Sequence, residues 1–282
     1  VNPYPKWVNT QLEHQPKSVS QLIEMLELRR ITSLQFTSDA PQILVAGCGT
    51  GQHSIATASR FRDCHVMAID LSITSLAYAK RKTIELGISN IEYFHGDILN
   101  LQGIDKKFDV IESVGVLHHM ENPFLGWKVL AGLLKTGGLM RIGLYSESAR
   151  REIVSARIVI ADSGISVTRS DMIRFRERLI AERDPILDSL SSSNDFYSVS
   201  TLRDLLFHIQ EHRFDIPKIK EMLNNLGLTF MGFEFPEKRL LDSFKAEFRS
   251  KEDLYNLDKW NEFEQSKPKH FAGMYQFWVQ KN

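Results

Sequence analysis

The chain has 282 residues, 43% of them hydrophobic and 25% charged, which is the make-up of a globular protein able to bury one large core or two modest ones. Thirty-five Lys and Arg balance thirty-five Asp and Glu, so there is no overall field to hold nucleic acid or an anionic membrane. The two cysteines, Cys48 and Cys64, cannot build a disulfide framework or a cysteine zinc site, no apolar run approaches the ~20 residues of a membrane span, and no signal peptide is visible.

These features fit a reducing cytoplasm. The chain opens on Val1 rather than Met, as a piece of a longer protein would. Residues 1–40 read as an aromatic arm and a helix. The opening NPYPKW holds Pro3 and Pro5, which forbid helix there. From Ser18 onward, Val19, Leu22, Ile23, Leu26 and Arg30 keep helical spacing, with Ser18 or Ser20 as the N-cap. Residues 41–146 alternate apolar runs (QILVAG, HVMAID, IEYFHG, FDVIESV, LMRIGLY) with helical patterns near 52–61, 73–87 and 123–135. That alternation predicts a parallel sheet covered on both faces, with LKTGG supplying the turn into the fifth strand.

Residues 147–220 change rhythm and predict a helical insertion without a convincing strand. SDMIRFRERLIAER lines up Met172, Phe175, Leu179 and Ile180; SVSTLRDLLFHIQ lines up Leu202, Leu205, Leu206 and Ile209, with Ser200 as its cap. The α/β pattern returns toward 221–282. DIPKIKEMLNNLG has Pro217 early and Gly227 at its stop, as a helix does. The strand LTFMGFEF, a charged helical stretch from Glu237 to Phe263 and a last strand, AGMYQFWVQ, complete the chain.

The stretch VAGCGTGQHS places Gly47, Gly49 and Gly51 between the first strand and the next helix. Such a junction brings backbone N–H groups and a helix N-terminus to one point, and glycine serves where φ is positive or a Cβ would strike a ligand. The dinucleotide fingerprint G-x-G-x-x-G requires a sixth-position glycine, where this chain has Gln52, so the spacing counts against NAD or FAD. Asp70 ends the second strand about twenty residues beyond the glycines, where an acid accepts hydrogen bonds from a ribose diol; the alternative is that it caps the following helix. Asp97 ends the third strand, placed to receive an adenine amino group while Leu71 and Ile98 sandwich the ring. FDVIESVGVLHH runs from the fourth strand into a loop at the same edge of the sheet.

Together, ILVAGCGTGQHS, AIDLS, HGDI and FDVIESVGVLHHM resemble the successive motifs of class I S-adenosylmethionine-dependent methyltransferases, over residues 41–145. The resemblance implies an α/β, Rossmann-like, seven-stranded and mostly parallel sheet with an antiparallel last strand. It further implies S-adenosyl-L-methionine as cofactor, S-adenosyl-L-homocysteine as product, and a cofactor site made of Gly47, Gly49, Gly51, Gln52, Asp70, Leu71, Asp97, Ile98, Ser113 and Val114. Ala46 stands before the first glycine where many members carry an acid that steadies the loop. NPYPKW, TLRDLLFHIQEHRFDI and HFAGMYQFW further resemble the methyltransferase module found behind tetratricopeptide repeats in bacterial proteins, which implies an upstream helical-repeat domain.

The acceptor is less legible. The segment after the fourth strand is not the Asn/Asp-Pro-Pro-Tyr type that receives an exocyclic amine, and no Pro-Cys nucleophile is present. His118 and His119 lie where a proton acceptor near neutral pH would serve; alternatively one fixes the loop and the other faces solvent. Tyr4 and Trp7 are expected as a lid docked against the helix beginning at Ser200, with Phe196, Tyr197, His208, His212, Tyr275 and Trp278 walling the acceptor pocket, though aromatic residues also serve as core. Arg150, Arg151, Arg157, Arg169, Arg174, Arg176 and Arg178 make the insertion basic, either as a solvated face or as a site for an acidic substrate or peptide. The expected function is methyl transfer to a small-molecule, protein or peptide acceptor. The alternative is a non-catalytic interaction module that keeps the fold.

Overall fold

The structure, a computed structural model, describes residues 7–10, 12–30, 39–182, 190, 196–197, 199–207, 210–235, 238–267, 271 and 273–282. Seven strands form one sheet: β1 (Gln42–Ala46), β2 (His65–Asp70), β3 (Ile91–His95), β4 (Phe108–Val114), β5 (Leu134–Tyr145), β6 (Leu228–Phe233) and β7 (Met274–Lys281). Their spatial order is β3-β2-β1-β4-β5-β7-β6. β1 to β5 pair in parallel, whereas β7 runs antiparallel to both β5 and β6. The chain reverses its direction of strand addition at β1, so the crevice between β1 and β4 opens at the carboxyl edge, where ligands bind in such sheets.

Burial of alternate residues on opposite faces explains the continuous apolar runs. Leu44 and Ala46 belong to one core cluster, Ile43 and Val45 to another, and each cluster is closed by helices. The first lies under α4 (Pro123–Leu133) and the helices Ile216–Leu226 and Leu257–Ser266. The second lies under α1 (Val19–Met25) and α2 (Gln52–Arg60). A third cluster sits within the insertion, joining Ala156 and Ile160 of α5 (Arg151–Asp162), Met172, Phe175 and Leu179 of α6 (Arg169–Glu182), and Leu202, Leu205 and Leu206 of helix Val199–Leu206.

Local signals account for most element ends. Ser18 caps α1 in a reciprocal box with Gln21. Pro217 sits in the first turn of Ile216–Leu226, and Gly227 ends that helix at φ 65°. Four expectations need correction. The α1 helix stops at Met25, because Glu27 adopts a positive φ of 52°, so Leu26 and Arg30 lie past it. LKTGG is the irregular opening of β5 rather than a separate turn, with the register to β4 shifting there. Helix Val199–Leu206 already includes Ser200, which is therefore not its cap. The charged stretch after β6 is two helices, Lys238–Glu247 and Leu257–Ser266, parted by the short 3-10 turn Lys251–Tyr255.

Candidate cofactor and acceptor site

Gly47, Gly49 and Gly51 all have positive φ, at 80°, 53° and 90°. The loop is packed against the protein itself. A Cβ on Gly47 would lie 2.4 Å from Val116 Cγ2, and one on Gly51 would lie 2.6 Å from Ala79 Cβ. The glycines therefore allow both the backbone path and the close seating of this loop between the β4 turn and α3 (Ile73–Glu85). Gly51 is the N-cap of α2, whose own first turn contains no acid, so the helix presents its positive end toward the carboxyl edge.

Asp70 joins the loop to β2. Its Oδ2 accepts from the Gly49 N–H at 2.8 Å and its Oδ1 from the Ser72 N–H at 2.8 Å. The carboxylate thus steadies the glycine loop while remaining half-buried at the edge. Ser72, not Asp70, caps α3. Asp97 accepts from the Leu99 N–H at 2.9 Å through Oδ1. Ile98 is only 6% exposed and packs into the sheet core, so its side chain does not flank a ligand as expected. Leu71, just after Asp70, and Leu99, two residues past Asp97, are apolar side chains left open, at 55% and 42% exposure. Exposed leucines beside acids suit a flat ring that takes hydrogen bonds at its rim and apolar contact on its faces. Ser113 is fully buried in β4, and Val114 is half-buried opposite Gly143 of β5.

The arm reaches this site, but not by the expected route. Trp7 Nε1 donates to the Thr50 carbonyl at 2.9 Å, its ring meets Tyr78 edge-on at 6.1 Å, and Lys82 Nζ lies 5.6 Å from the ring centre. Tyr78 donates its hydroxyl to the Trp7 carbonyl, and Gln52 reaches Asn9 O at 3.4 Å. Trp7 and Asn9 dock on the glycine loop, the start of α2 and α3 rather than on helix Val199–Leu206. Tyr4 lies outside the described residues.

At the neighbouring end of β4, the 3-10 turn Leu117–His119 carries the two histidines. His118 is fully buried and stacks on Tyr145 with ring centres 3.7 Å apart. Arg150 lies 3.7 Å from the same ring centre, so His118 and Arg150 must cover opposite faces of Tyr145. His119 is half-buried and points Nδ1 at the Gln210 carbonyl, 3.1 Å away. A carbonyl only accepts, so Nδ1 carries the proton and Nε2 is the basic nitrogen of the neutral ring.

The segment Gln210–Phe214 straps these parts together. The His212 N–H donates to His118 O at 2.7 Å, the Phe214 N–H to Tyr145 O at 2.9 Å, and Gln210 Nε2 to Met120 O at 3.3 Å. Glu211 receives Arg150 through two hydrogen bonds of 2.9 and 2.7 Å and Arg157 at 2.9 Å. Arg150 is therefore no solvated charge; it anchors the insertion to the sheet edge. His212 stands in the site's frame.

Other expected wall residues stand elsewhere. Tyr275 is fully buried in the sheet core, where its hydroxyl donates to Glu264 at 2.6 Å. Burial and Glu264 push that phenol far up from its ordinary value. Trp278 is fully buried and donates to Glu234 at 2.7 Å, and Phe196 is core of the insertion. Their aromatic rings are packing. Tyr197 is 58% exposed and meets Phe196 edge-on. His208 lies outside the described residues. Both cysteines are unpaired and buried; burial, then Asp70, pushes the Cys48 thiol up, and burial pushes Cys64 up to about 11, so neither is poised as a nucleophile. Among the described residues, no group could hold a metal ion and no helix is long and apolar enough to cross a membrane.

Comparison with known proteins agrees with this geometry. Residues 43–138 match the family described as a methyltransferase domain. An uncharacterized protein of Synechococcus is 28% identical over 239 residues, which is 79% of this chain and 56% of that protein. A fatty-acid O-methyltransferase of Mycolicibacterium smegmatis is 26% identical over 180 residues, covering 64% of this chain and 63% of that one. Among solved structures, PKMT2 from Rickettsia typhi in complex with AdoHcy superposes with a TM-score of 0.71 at 15% identity, over 99% of this chain and 55% of that one. The chain thus spans about half the length of the first two relatives it matches, by sequence and by structure. Residues 43–138 are thus similar to a methyltransferase domain, and the chain shares the fold of the PKMT2 structure.

Proposed function

We propose that the chain binds S-adenosyl-L-methionine across the carboxyl ends of β1 to β4 and transfers its methyl group to an acceptor entering beside the His118–His119 turn. The supporting observation is convergence. The glycine loop, Asp70, Asp97 and the histidine turn follow four strands that are neighbours in the order β3-β2-β1-β4. In this reading Asp70 and Asp97 accept from the ribose and adenine, Leu71 and Leu99 cover the ring, and the α2 N-terminus faces the methionine end. Bound there, the cofactor supplies a sulfonium methyl, and its loss leaves S-adenosyl-L-homocysteine. The protein's own work is to orient the acceptor in line. Where the acceptor arrives protonated, His119 Nε2 takes the proton while Gln210 O holds the ring.

The acceptor is a small molecule or a protein side chain presented under the insertion, and the tetratricopeptide-associated module remains the narrower parentage we favour. Incubation with cofactor labelled in the methyl group, against separate small-molecule and protein pools, tests this. Label should enter one pool, and His119→Ala should reduce the transfer for a protonated acceptor. A second reading, a non-catalytic interaction module, draws on the complete burial of His118, which removes one candidate base from reach. Cofactor binding without label in any pool would favour it.

A further inference from the structure

A carboxylate that takes no part in the transfer lies beneath the glycine loop. Glu112 is on β4, 0% exposed, and is the ladder partner of Val45 on β1. Its side chain points to the face that α2 covers. On that helix His53, Thr57 and Arg60 fall at i, i+4 and i+7, one side of the cylinder. All three converge on Glu112. Thr57 Oγ1 donates to Oε2 at 2.7 Å, His53 Nε2 bonds to the same oxygen, and Arg60 Nη1 lies 4.0 Å from Oε1. Arg141 of β5 approaches Oε2 at 3.8 Å.

Burial alone would push the Glu112 carboxyl up. His53, then Arg141 and Arg60, more than offset it and hold the group well below the usual carboxylate range. An ionised carboxylate only accepts, so His53 Nε2 is the donor. The two arginines are balanced by Glu234, which accepts from Arg60 Nη2 at 2.8 Å, from Arg141 Nη2 at 3.0 Å and from the Trp278 N–H at 2.7 Å. A buried carboxylate deprived of its donors is costly, so α2 cannot turn or slide without losing all three contacts together.

We propose that the Glu112–His53 pair is a positioning clamp for the N-terminus of α2 and through it sets the affinity of the glycine loop for the cofactor. The clamp rests on the reading that S-adenosylmethionine occupies this loop. It also accounts for Ala46. The steadying acid absent from the end of β1 is supplied from β4, one strand away, and acts on the helix instead of on the loop. His53 is a positioning residue: it orients the first-turn N–H groups and needs no contact with the ligand.

The test compares wild type, His53→Ala and His53→Gln, the last placing an amide N–H near the ring Nε2 position. Calorimetry with S-adenosyl-L-homocysteine and amide hydrogen exchange of residues 53–56 in the ligand-free protein are the readouts. His53→Ala should weaken binding roughly tenfold and speed first-turn exchange, as for loss of a hydrogen bond to a charged group. His53→Gln should restore both to within about threefold and melt closer to wild type than His53→Ala, which leaves the buried carboxylate short of a donor. Wild-type affinity and exchange in His53→Ala would overturn the clamp. So would equal weakening in both variants that tracks an equal loss of thermal stability. A wild-type protein that binds no S-adenosyl-L-homocysteine would instead overturn the cofactor reading, and the proposed link to affinity with it.

Discussion

Replacing Asp70 by alanine should cost both folding stability and cofactor affinity, because this carboxylate has two duties. In the ligand-free protein it accepts two backbone N–H groups, Gly49 and Ser72, each at 2.8 Å. Hydrogen bonds to a charged group contribute about 1.5–3 kcal/mol each, and a half-exposed carboxylate belongs at or below the low end, so the pair is worth about 2–3 kcal/mol. At ~2–4 °C per kcal/mol for a domain of this size, the melting temperature should fall by about 4–12 °C. Loss of the ribose contacts removes a further ~1.5–3 kcal/mol from binding, or about 10- to 150-fold in Kd. Asp70→Asn should not rescue fully, since its amide nitrogen turns a donor toward one of the two N–H groups. Thermal melts and calorimetry with S-adenosyl-L-homocysteine separate the effects. An alanine variant that melts like wild type and binds like wild type would refute the reasoning on both counts.

Gly51→Ala should lower the melting temperature even without ligand, because its Cβ would sit 2.6 Å from Ala79 Cβ at a φ of 90°; a ligand-only role for this glycine predicts an unchanged melt. Trp127, Trp260 and Trp278 are all buried, so acrylamide quenching should report Trp7. Cofactor product should reduce the quenching, and Trp7→Phe should abolish that change; equal quenching with and without product would leave the arm outside the site. Stability should also depend on Glu112 below neutral pH. The folded state holds this group ionised well below the usual range, whereas in the unfolded chain it protonates near pH ~4.3. Its contribution is therefore present above that value and is lost as pH falls below it. Melting temperatures followed from pH 7 to pH 3 should drop more steeply in wild type than in Glu112→Gln, and parallel curves would contradict this.

The apolar runs separated by amphipathic stretches made the parallel sheet readable, since the central strands β1, β4 and β5 are buried on both faces. Ser18, Pro217 and Gly227 marked helix ends because each acts on adjacent backbone. What could not be read were pairings between distant residues. Arg150 resembles a solvated helix charge until Glu211, 61 positions on, is seen to hold it. Glu112 looks like one polar residue in an apolar strand until α2 lays three side chains over it. Tyr275 and Trp278 alternate along β7 with residues of the other face, but sequence does not tell a core face from a pocket wall. Trp7 carried a usable signal, a large ring in a segment too short for a core, but its docking partner was misjudged. The glycine, Asp70 and Asp97 positions were legible because strand ends in such sheets fall at one edge.

The central claim, a cofactor site for S-adenosylmethionine, is tested most directly by titrating the wild-type protein in a calorimeter with S-adenosyl-L-homocysteine and, separately, with NADH. The account predicts a saturating single-site isotherm for S-adenosyl-L-homocysteine and none for NADH. Saturable binding of NADH alone would contradict it.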